Sequence, residues 1–229
     1  MNFKEYYRNN KTFIKRIDDR LQKIIKITTK IAPKKVLDIG CGSGYLISEL
    51  SKAINAQFYG VDVYQNEIKN CEYKIADITE EIPFNNEMFD CVILGEVIEH
   101  VPNPDFLLRE INRVLKKDGY LIISTPNLVS WANRILVLLG IQPLYTETSN
   151  EVNLGRYFKF LGQEGKVQGH LKIFTHRSLQ EILERNGFKV KNKYGTSFFF
   201  PFPISLVDKL FTKFVSLSSD LIYLAIKNK

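Results

Sequence analysis

Three aspartates lie where short apolar runs end, and their chemistry favours a positively charged ligand. Asp38 belongs to the run VLDIGCGSG at residues 36–44, and Asp62 and Asp77 end the later runs YGVD and IAD. Glycines in such a loop let the backbone turn sharply and let a ligand approach the main chain. A carboxylate just before the first glycine would repel the phosphates of a nucleotide. The loop therefore suits S-adenosylmethionine, which carries a sulfonium and an ammonium group and no phosphate.

Each aspartate can be matched to one part of this ligand. Asp38 would meet the amino-acid end, and Asp77 would meet the adenine amino group. Asp62, which follows Gly44 by 18 residues, would accept hydrogen bonds from both ribose hydroxyls. Each acid also has an ordinary alternative as a loop or helix-capping residue. The third glycine of the dinucleotide fingerprint is replaced by Tyr45, so an NAD-dependent enzyme is disfavoured.

A second group of reactive side chains follows the fourth predicted strand, in the sequence EVIEH. Glu96, Glu99 and His100 place two carboxylates and an imidazole within five residues. Such a group can act as a general base, with His100 and Glu99 as the catalytic residues, or hold a divalent cation. The alternative is that His100 caps the following loop. His170 is expected either to face the same pocket or to be structural.

Short apolar runs alternate with helical patterns over most of the chain, which places these residues at strand ends. Alternation of this kind predicts a doubly wound, Rossmann-like α/β fold with a largely parallel sheet covered on both faces. Thr175 is expected to cap the last clear helix and Gly187 to end it. The predicted strands are 35–39, 57–61, 73–76, 89–94, 119–124, 188–193 and 220–227, and the predicted helices are 45–54, 65–71, 105–116, 131–139 and 175–186.

The N-terminal segment is the basic part of the chain. Residues 1–35 hold eleven Lys or Arg and three acidic residues, although the whole chain of 229 residues has a net charge of +7. A uniformly basic surface for nucleic acid is therefore not expected. Apolar residues at helical spacing predict an amphipathic helix over 13–31 with a Lys/Arg-rich outer face, ended by Pro33. It would pack on the domain, act as a lid, or contact an anionic surface.

The motifs resemble those of class I S-adenosylmethionine-dependent methyltransferases of the type 11 group, in the branch with the ubiquinone-pathway O-methyltransferases. The likeness covers residues 34–127 and resumes at Gly169-His170-Leu171 and at the helix before Gly187. It implies a seven-stranded sheet with the last strand antiparallel. In that branch a similar E-x-x-E-H is associated with magnesium, which implies a metal site at Glu96, Glu99 and His100. The cofactor contacts expected are Asp38, Gly40, Cys41, Gly42, Asp62, Val63, Asp77, Ile78, Leu94 and Gly95.

The expected domain plan is a basic helix at 1–33 and a methyltransferase domain at 34–229, with an insertion at about 128–172. The expected reaction is methyl transfer to a small acceptor, with oxygen favoured. The alternatives are a nucleic-acid methyltransferase and a non-catalytic module that binds the cofactor. The apolar segments 131–139 and 198–203 are core, a site for a hydrophobic or lipid-like acceptor, or a contact with a membrane surface.

The N-terminus and the cysteines together predict a cytoplasmic protein. No signal peptide and no spanning apolar stretch is recognised. Cys41, Cys71 and Cys91 lack disulfide or metal spacing, which is typical of reduced thiols.

Overall fold

Seven strands form a single sheet in the computed structural model, which describes residues 18–64, 67–157, 167–198 and 200–228. The strands are β1 (Lys35–Ile39), β2 (Gln57–Asp62), β3 (Cys71–Ile75), β4 (Phe89–Gly95), β5 (Leu115–Pro126), β6 (Phe188–Thr196) and β7 (Asp220–Lys227). The helices are α1 (Asp19–Ile31), α2 (Tyr45–Ala53), α3 (Pro104–Val114), α4 (Trp131–Leu138), α5 (His176–Arg185) and α6 (Ile204–Phe211), with a short 3-10 helix at Ile98–His100.

The strand order is β3-β2-β1-β4-β5-β7-β6, and only β7 runs against its neighbours. Strands β1 to β5 pair in parallel. The order reverses between β1 and β4, and ligands of open α/β sheets bind where this happens, outside the carboxyl ends of the strands. The predicted doubly wound fold with an antiparallel last strand is confirmed.

The central strands are buried on both faces because their successive side chains enter two different cores. Leu37 of β1 packs in a cluster that includes Leu107 of α3. Its neighbour Val36 packs in a second cluster, which holds Ile47 of α2 and Ile24 of α1. Side chains alternate across a strand, so a run that is apolar at successive positions requires cover on both faces.

A third cluster joins α4 to α6 at the carboxyl side of the sheet. The indole of Trp131 stacks on Phe211 with ring centroids 5.5 Å apart, and its Nε1 donates a hydrogen bond of 2.7 Å to Asp208. The buried Asp208 carboxylate also accepts from the Oγ of Ser219 at 2.6 Å and from the backbone N–H of Phe198 at 2.6 Å. These contacts fix the two helices to each other and to the start of β7.

Several helix ends follow from the local sequence. Thr175 caps α5 as predicted, in a capping box with Ser178, and Gly187 follows the helix with a φ of 84°. Asn103 caps α3, and Pro104 occupies the first helical position. A backbone N–H at that position would make no hydrogen bond within the helix, so proline is tolerated there.

Several of the predicted bounds are wrong, including those of the strands predicted at 73–76 and 119–124, which span Cys71–Ile75 and Leu115–Pro126. Helix α1 begins at Asp19, because the Asp18 carboxylate caps it by accepting from Leu21 N at 2.7 Å; residues 13–17 of the prediction lie outside the described residues. Residues 67–70 are not helical and Cys71 begins β3, which corrects the helix predicted at 65–71, whose first two residues are not described. Helix α3 ends at Val114, because β5 already begins at Leu115.

Helix α6 was not predicted at all, because its leucines are exposed and its Asp208 is buried, the reverse of the pattern that marks a buried helix face. The described residues include no helix long and apolar enough to cross a lipid bilayer.

Candidate active site

The glycine loop connects β1 to α2 at the sheet edge where the strand order reverses. Gly40 and Gly44 have φ values of 70° and 75°, which favour glycine. A Cβ on Gly40 would also come within 2.5 Å of the Val97 side chain. The loop can therefore lie against the segment that follows β4 only because residue 40 is a glycine and has no side chain.

Asp62 links the end of β2 to this loop. Its carboxylate accepts a hydrogen bond of 2.8 Å from Gly42 N and one of 2.7 Å from Val63 N. Burial raises the pKa of Asp62, and these backbone hydrogen bonds oppose the rise. The side chain thus positions the loop and faces the edge where the ligand is expected.

Asp38 is buried inside β1 and is strongly perturbed. Burial, followed by the nearby Asp62 carboxylate, raises the pKa of Asp38 to about 8, although Arg20 lowers it in part. A buried carboxyl of this kind would be stabilised in its charged form by a cationic ligand.

The other predicted cofactor residues lie along the same edge. The Asp77 carboxylate, just after β3, accepts from the backbone N–H of Thr79 at 2.9 Å, and Ala76 N donates to the Asp62 carbonyl at 3.0 Å. Strands β3, β2, β1 and β4 are consecutive in the sheet, so the loops after them meet at one side. The structure therefore brings together the ends of β1 to β4, which carry Gly40, Cys41, Gly42, Val63, Ile78, Leu94 and Gly95.

Arg20 of α1 also reaches this edge, and the sequence analysis missed it. Its Nε lies 3.9 Å from Glu96 Oε1, and its Nη1 lies 3.3 Å from the point that a Cβ on Gly95 would occupy. Only 8% of Arg20 is exposed, whereas the basic residues of α1 were expected on the outer face. Position 20 lies four residues before Ile24 and seven before Ile27, which are both buried, so it shares the buried face of the helix. The charge of the arginine obscured this signal.

Glu99 is completely buried in the short 3-10 helix. Its Oε2 accepts a hydrogen bond of 3.0 Å from Thr125 Oγ1, but its Oε1 has no hydrogen-bond partner within the described chain. Burial, followed by the Glu96 carboxylate, raises the pKa of Glu99 well above its ordinary value. An unpartnered buried carboxylate oxygen is costly unless a ligand completes it.

His100 and His170 lie side by side, with ring centroids 4.7 Å apart. The Nδ1 of His100 is 3.3 Å from the Gly169 carbonyl oxygen, and the Nδ1 of His170 is 2.8 Å from the Tyr145 carbonyl oxygen. A carbonyl only accepts, so each Nδ1 carries a proton and each neutral ring has its lone pair on Nε2. Burial lowers the pKa of both residues, that of His100 to about 4, which keeps the rings neutral near pH 7.

Ligand-type atoms of Glu99, His100 and His170 all lie within 4.8 Å of one another. Glu96, which the sequence analysis placed with this group, points elsewhere: its Oε1 accepts from Ser124 Oγ at 2.8 Å and faces Arg20. The structure therefore brings two of the three expected ligands together and adds His170. The group can hold a divalent cation or accept a proton from a substrate.

Comparison with known proteins gives a consistent result for most of the chain. A family model described as a methyltransferase domain matches residues 6–193. The mitochondrial ubiquinone biosynthesis O-methyltransferase of Rattus norvegicus is 28% identical over 180 residues, which cover 70% of this chain and 46% of that protein. The ubiquinone biosynthesis O-methyltransferase of Glaesserella parasuis is 32% identical over 134 residues, 52% of this chain and 56% of its own. The chain thus spans about half the length of these relatives.

Among solved structures, a Burkholderia thailandensis 1,6-didemethyltoxoflavin-N1-methyltransferase with bound S-adenosylhomocysteine superposes with a TM-score of 0.60. The match covers 93% of this chain and 80% of that one, at 16% identity. Similarity at that level of identity concerns the fold alone.

Proposed function

The chain belongs to the family of S-adenosylmethionine-dependent methyltransferases, and from this premise we propose that it transfers the cofactor's methyl group to an oxygen of a small hydroxyl-bearing acceptor. The observation that carries the proposal is the group Glu99, His100 and His170, which lies beside the acidic sheet edge. Oxygen is favoured because a hydroxyl must lose its proton as it is methylated, and this group can accept one.

In the proposed binding mode the three acids contact the cationic and hydroxyl-bearing parts of the cofactor. Asp38 pairs with the ammonium, Asp62 accepts from the ribose hydroxyls, and Asp77 accepts from the adenine amino group. Arg20 pairs with the cofactor's carboxylate, which would otherwise be repelled by the acids around it. The loop backbone from Gly40 to Gly42, together with Cys41, Val63, Ile78, Leu94 and Gly95, forms the remaining wall.

Methyl transfer then needs an oriented acceptor and a base. The acceptor oxygen attacks the methyl carbon in line with the carbon–sulfur bond, whose electron pair passes to sulfur and leaves neutral S-adenosylhomocysteine. The acceptor's proton passes to Nε2 of His100, which is unprotonated near pH 7 because burial lowers the pKa of His100 to about 4. Glu99, 3.9 Å from that nitrogen, stabilises the imidazolium that forms.

The same residues fit a divalent cation, since Oε1 of Glu99 has no hydrogen-bond partner in the described chain and both imidazoles are held through Nδ1. A cation bound there would lower the pKa of a coordinated hydroxyl. His100 and His170 would then act as ligands, and deprotonation of the acceptor would no longer require His100 as the base.

The test is formation of S-adenosylhomocysteine from purified protein with phenol, catechol and aliphatic diol acceptors. Each reaction is run as purified, after chelation by EDTA, and with magnesium restored. We expect O-methylated product with at least one hydroxyl acceptor. Loss of activity on chelation and its return with magnesium would assign the cation role, and unchanged activity would assign the base role. Methylation only of RNA or of amines, or tight cofactor binding without product from any acceptor, would contradict the proposal.

Cofactor affinity should depend on pH through Asp38. In the free protein burial raises the pKa of Asp38 to about 8, so the group is largely protonated at neutral pH, whereas the bound ammonium favours the carboxylate. Cofactor binding should therefore release a proton, and affinity should rise with pH from about 6 to about 7.5, by up to about tenfold per unit. Calorimetry in buffers of different ionisation enthalpy measures both effects.

The variant Asp38→Asn is the control for this pH dependence. Asp62 and Glu99 also have raised pKa values nearby, so only the part of the slope that Asp38→Asn removes belongs to Asp38. An unchanged slope in that variant would show that another group releases the proton.

A further inference from the structure

Most of the exposed large apolar side chains in the described part of the chain lie on helices α4 and α6 or directly beside them. We call residues 131–139 and 202–214 the apolar cap. Isolated exposed apolar residues are ordinary, but a contiguous group of large ones indicates a binding surface. Five of its large side chains are at least 60% exposed: Leu138 (86%), Phe202 (79%), Leu210 (64%), Leu139 (60%) and Phe214 (60%).

The exposed stripe of α6 and the turn after it mixes apolar and basic side chains. Leu206, Lys209, Leu210, Lys213 and Phe214 recur at three- and four-residue spacing, and all are exposed. Lysine can lay its methylene stem along apolar surface while its ammonium stays in water. A stripe of this composition is typical of helices that lie in the plane of a membrane surface.

Acidic side chains are absent from the exposed part of these segments. Asp208 is the only acidic residue in 197–219, and it is fully buried, where it accepts hydrogen bonds from Trp131, Ser219 and Phe198. Segment 127–142 has Arg134, which is exposed, and no acid. The exposed charge of the apolar cap is therefore positive only, which complements an anionic surface.

We propose that the apolar cap is a docking surface for anionic phospholipid membranes. The single sign of its exposed charge favours lipid headgroups over a protein partner, since protein interfaces are depleted of lysine at their centre. No described helix could span a bilayer, so the contact is peripheral. The cap is also connected to the candidate active site by a row of aromatic rings. Between centroids, Trp131 of the cap lies 5.9 Å from Phe200, Phe200 lies 5.2 Å from Phe198, Phe198 lies 5.6 Å from Tyr145, and Tyr145 lies 5.9 Å from His170. An acceptor dissolved in the membrane would meet this aromatic path.

The experiment is co-sedimentation of the full chain with vesicles, without cofactor or acceptor, so its result is independent of the proposed methyl transfer. Vesicles of phosphatidylcholine alone are compared with vesicles containing about a third phosphatidylglycerol. We expect binding to the anionic vesicles that weakens as salt is raised. The double variant Lys209→Glu/Lys213→Glu should lower the partition coefficient by about thirtyfold or more, because each basic residue near the surface contributes about 1 kcal/mol. The apolar variant Leu210→Ala/Phe214→Ala should also bind more weakly, because it loses buried apolar area.

A matched variant distinguishes binding through the apolar cap from a general attraction between a positively charged protein and anionic vesicles. Lys189→Glu/Lys191→Glu makes the same charge change at exposed positions of the edge strand β6 and should bind as the unaltered chain does. Equal losses in both lysine variants, or no binding of the unaltered chain to anionic vesicles at low salt, would overturn the proposal. So would light scattering that shows a dimer which Leu210→Ala/Phe214→Ala dissociates, since the cap would then be covered by a second copy. Thermal unfolding checks that each variant is folded.

Discussion

Replacing Glu99 with glutamine is expected to slow methyl transfer by about 100-fold to 10,000-fold, the range that a general acid or base contributes. Glutamine keeps the shape of the side chain and can still accept from Thr125, but it has no negative charge to stabilise a protonated His100 or to bind a cation. Affinity for S-adenosylmethionine should change by less than about threefold, because Glu99 is not among the proposed cofactor contacts. Single-turnover formation of S-adenosylhomocysteine measures the rate, and calorimetry measures the affinity.

The pH profile gives a second readout of Glu99. Burial and the Glu96 carboxylate raise the pKa of Glu99, so the rate of the unaltered protein should rise with pH above the usual carboxyl range as Glu99 loses its proton. Glu99→Gln should lose this limb. The control is Glu184→Gln, the same substitution at an exposed position of α5, which should leave rate and profile unchanged. A rate for Glu99→Gln within about threefold of the unaltered rate would show that this carboxylate takes no part in the reaction.

The positions of the strands along the chain could be predicted from the sequence because burial on two faces leaves a clear pattern. Val36 and Leu37 enter different cores, and only a strand covered on both sides needs apolar residues at successive positions. The aspartates that follow such strands were therefore placed at one edge without coordinates. Their roles toward the cofactor stay predictions.

Features that depend on contacts between distant segments could not be predicted. His170 was expected either to face the pocket of His100 or to be structural, and the sequence could not decide between the two. The rings lie side by side because Leu171 N and Lys172 N donate to the Glu99 carbonyl at 2.8 and 3.0 Å, and no local pattern encodes these backbone hydrogen bonds. Glu96 lies outside the expected metal group for the same kind of reason. Its carboxylate faces Arg20, which is far away in sequence, so no local pattern indicates the contact.

Helix α6 was missed because its periodicity does not mark a buried face. Leu206 and Leu210 are exposed, whereas the one charged residue that is buried is Asp208. Hydrophobic patterning assumes the opposite arrangement. The arrangement that hid this helix from the sequence analysis, with leucines exposed and the acid buried, also makes the apolar cap a candidate membrane surface.

Replacing Asp62 with alanine should weaken binding of S-adenosylmethionine by about 100-fold or more, from the loss of two charge-assisted hydrogen bonds of about 1.5–3 kcal/mol each. The change removes the proposed acceptor of the ribose hydroxyls, and it also removes the carboxylate that holds Gly42 N and Val63 N. Asp62→Asn should have a smaller effect, because one oxygen remains to accept. Isothermal calorimetry at fixed pH measures the three dissociation constants, and equal affinity of Asp62→Ala and the unaltered chain would refute the assignment.

The two roles of Asp62 can be separated by changing the ligand as well as the protein. Removing the 2′-hydroxyl from S-adenosylhomocysteine should weaken binding to the unaltered chain, because a hydrogen bond to a carboxylate is lost. If Asp62 accepts from that hydroxyl, the deoxy ligand and the normal one should bind Asp62→Ala almost equally, as a double-mutant cycle requires for groups in contact. If Asp62 serves only to hold the glycine loop, the loss on removing the hydroxyl should be the same in both proteins. That outcome would show that another side chain accepts from the ribose hydroxyls. The proposal that the acidic edge binds a cationic cofactor would still hold.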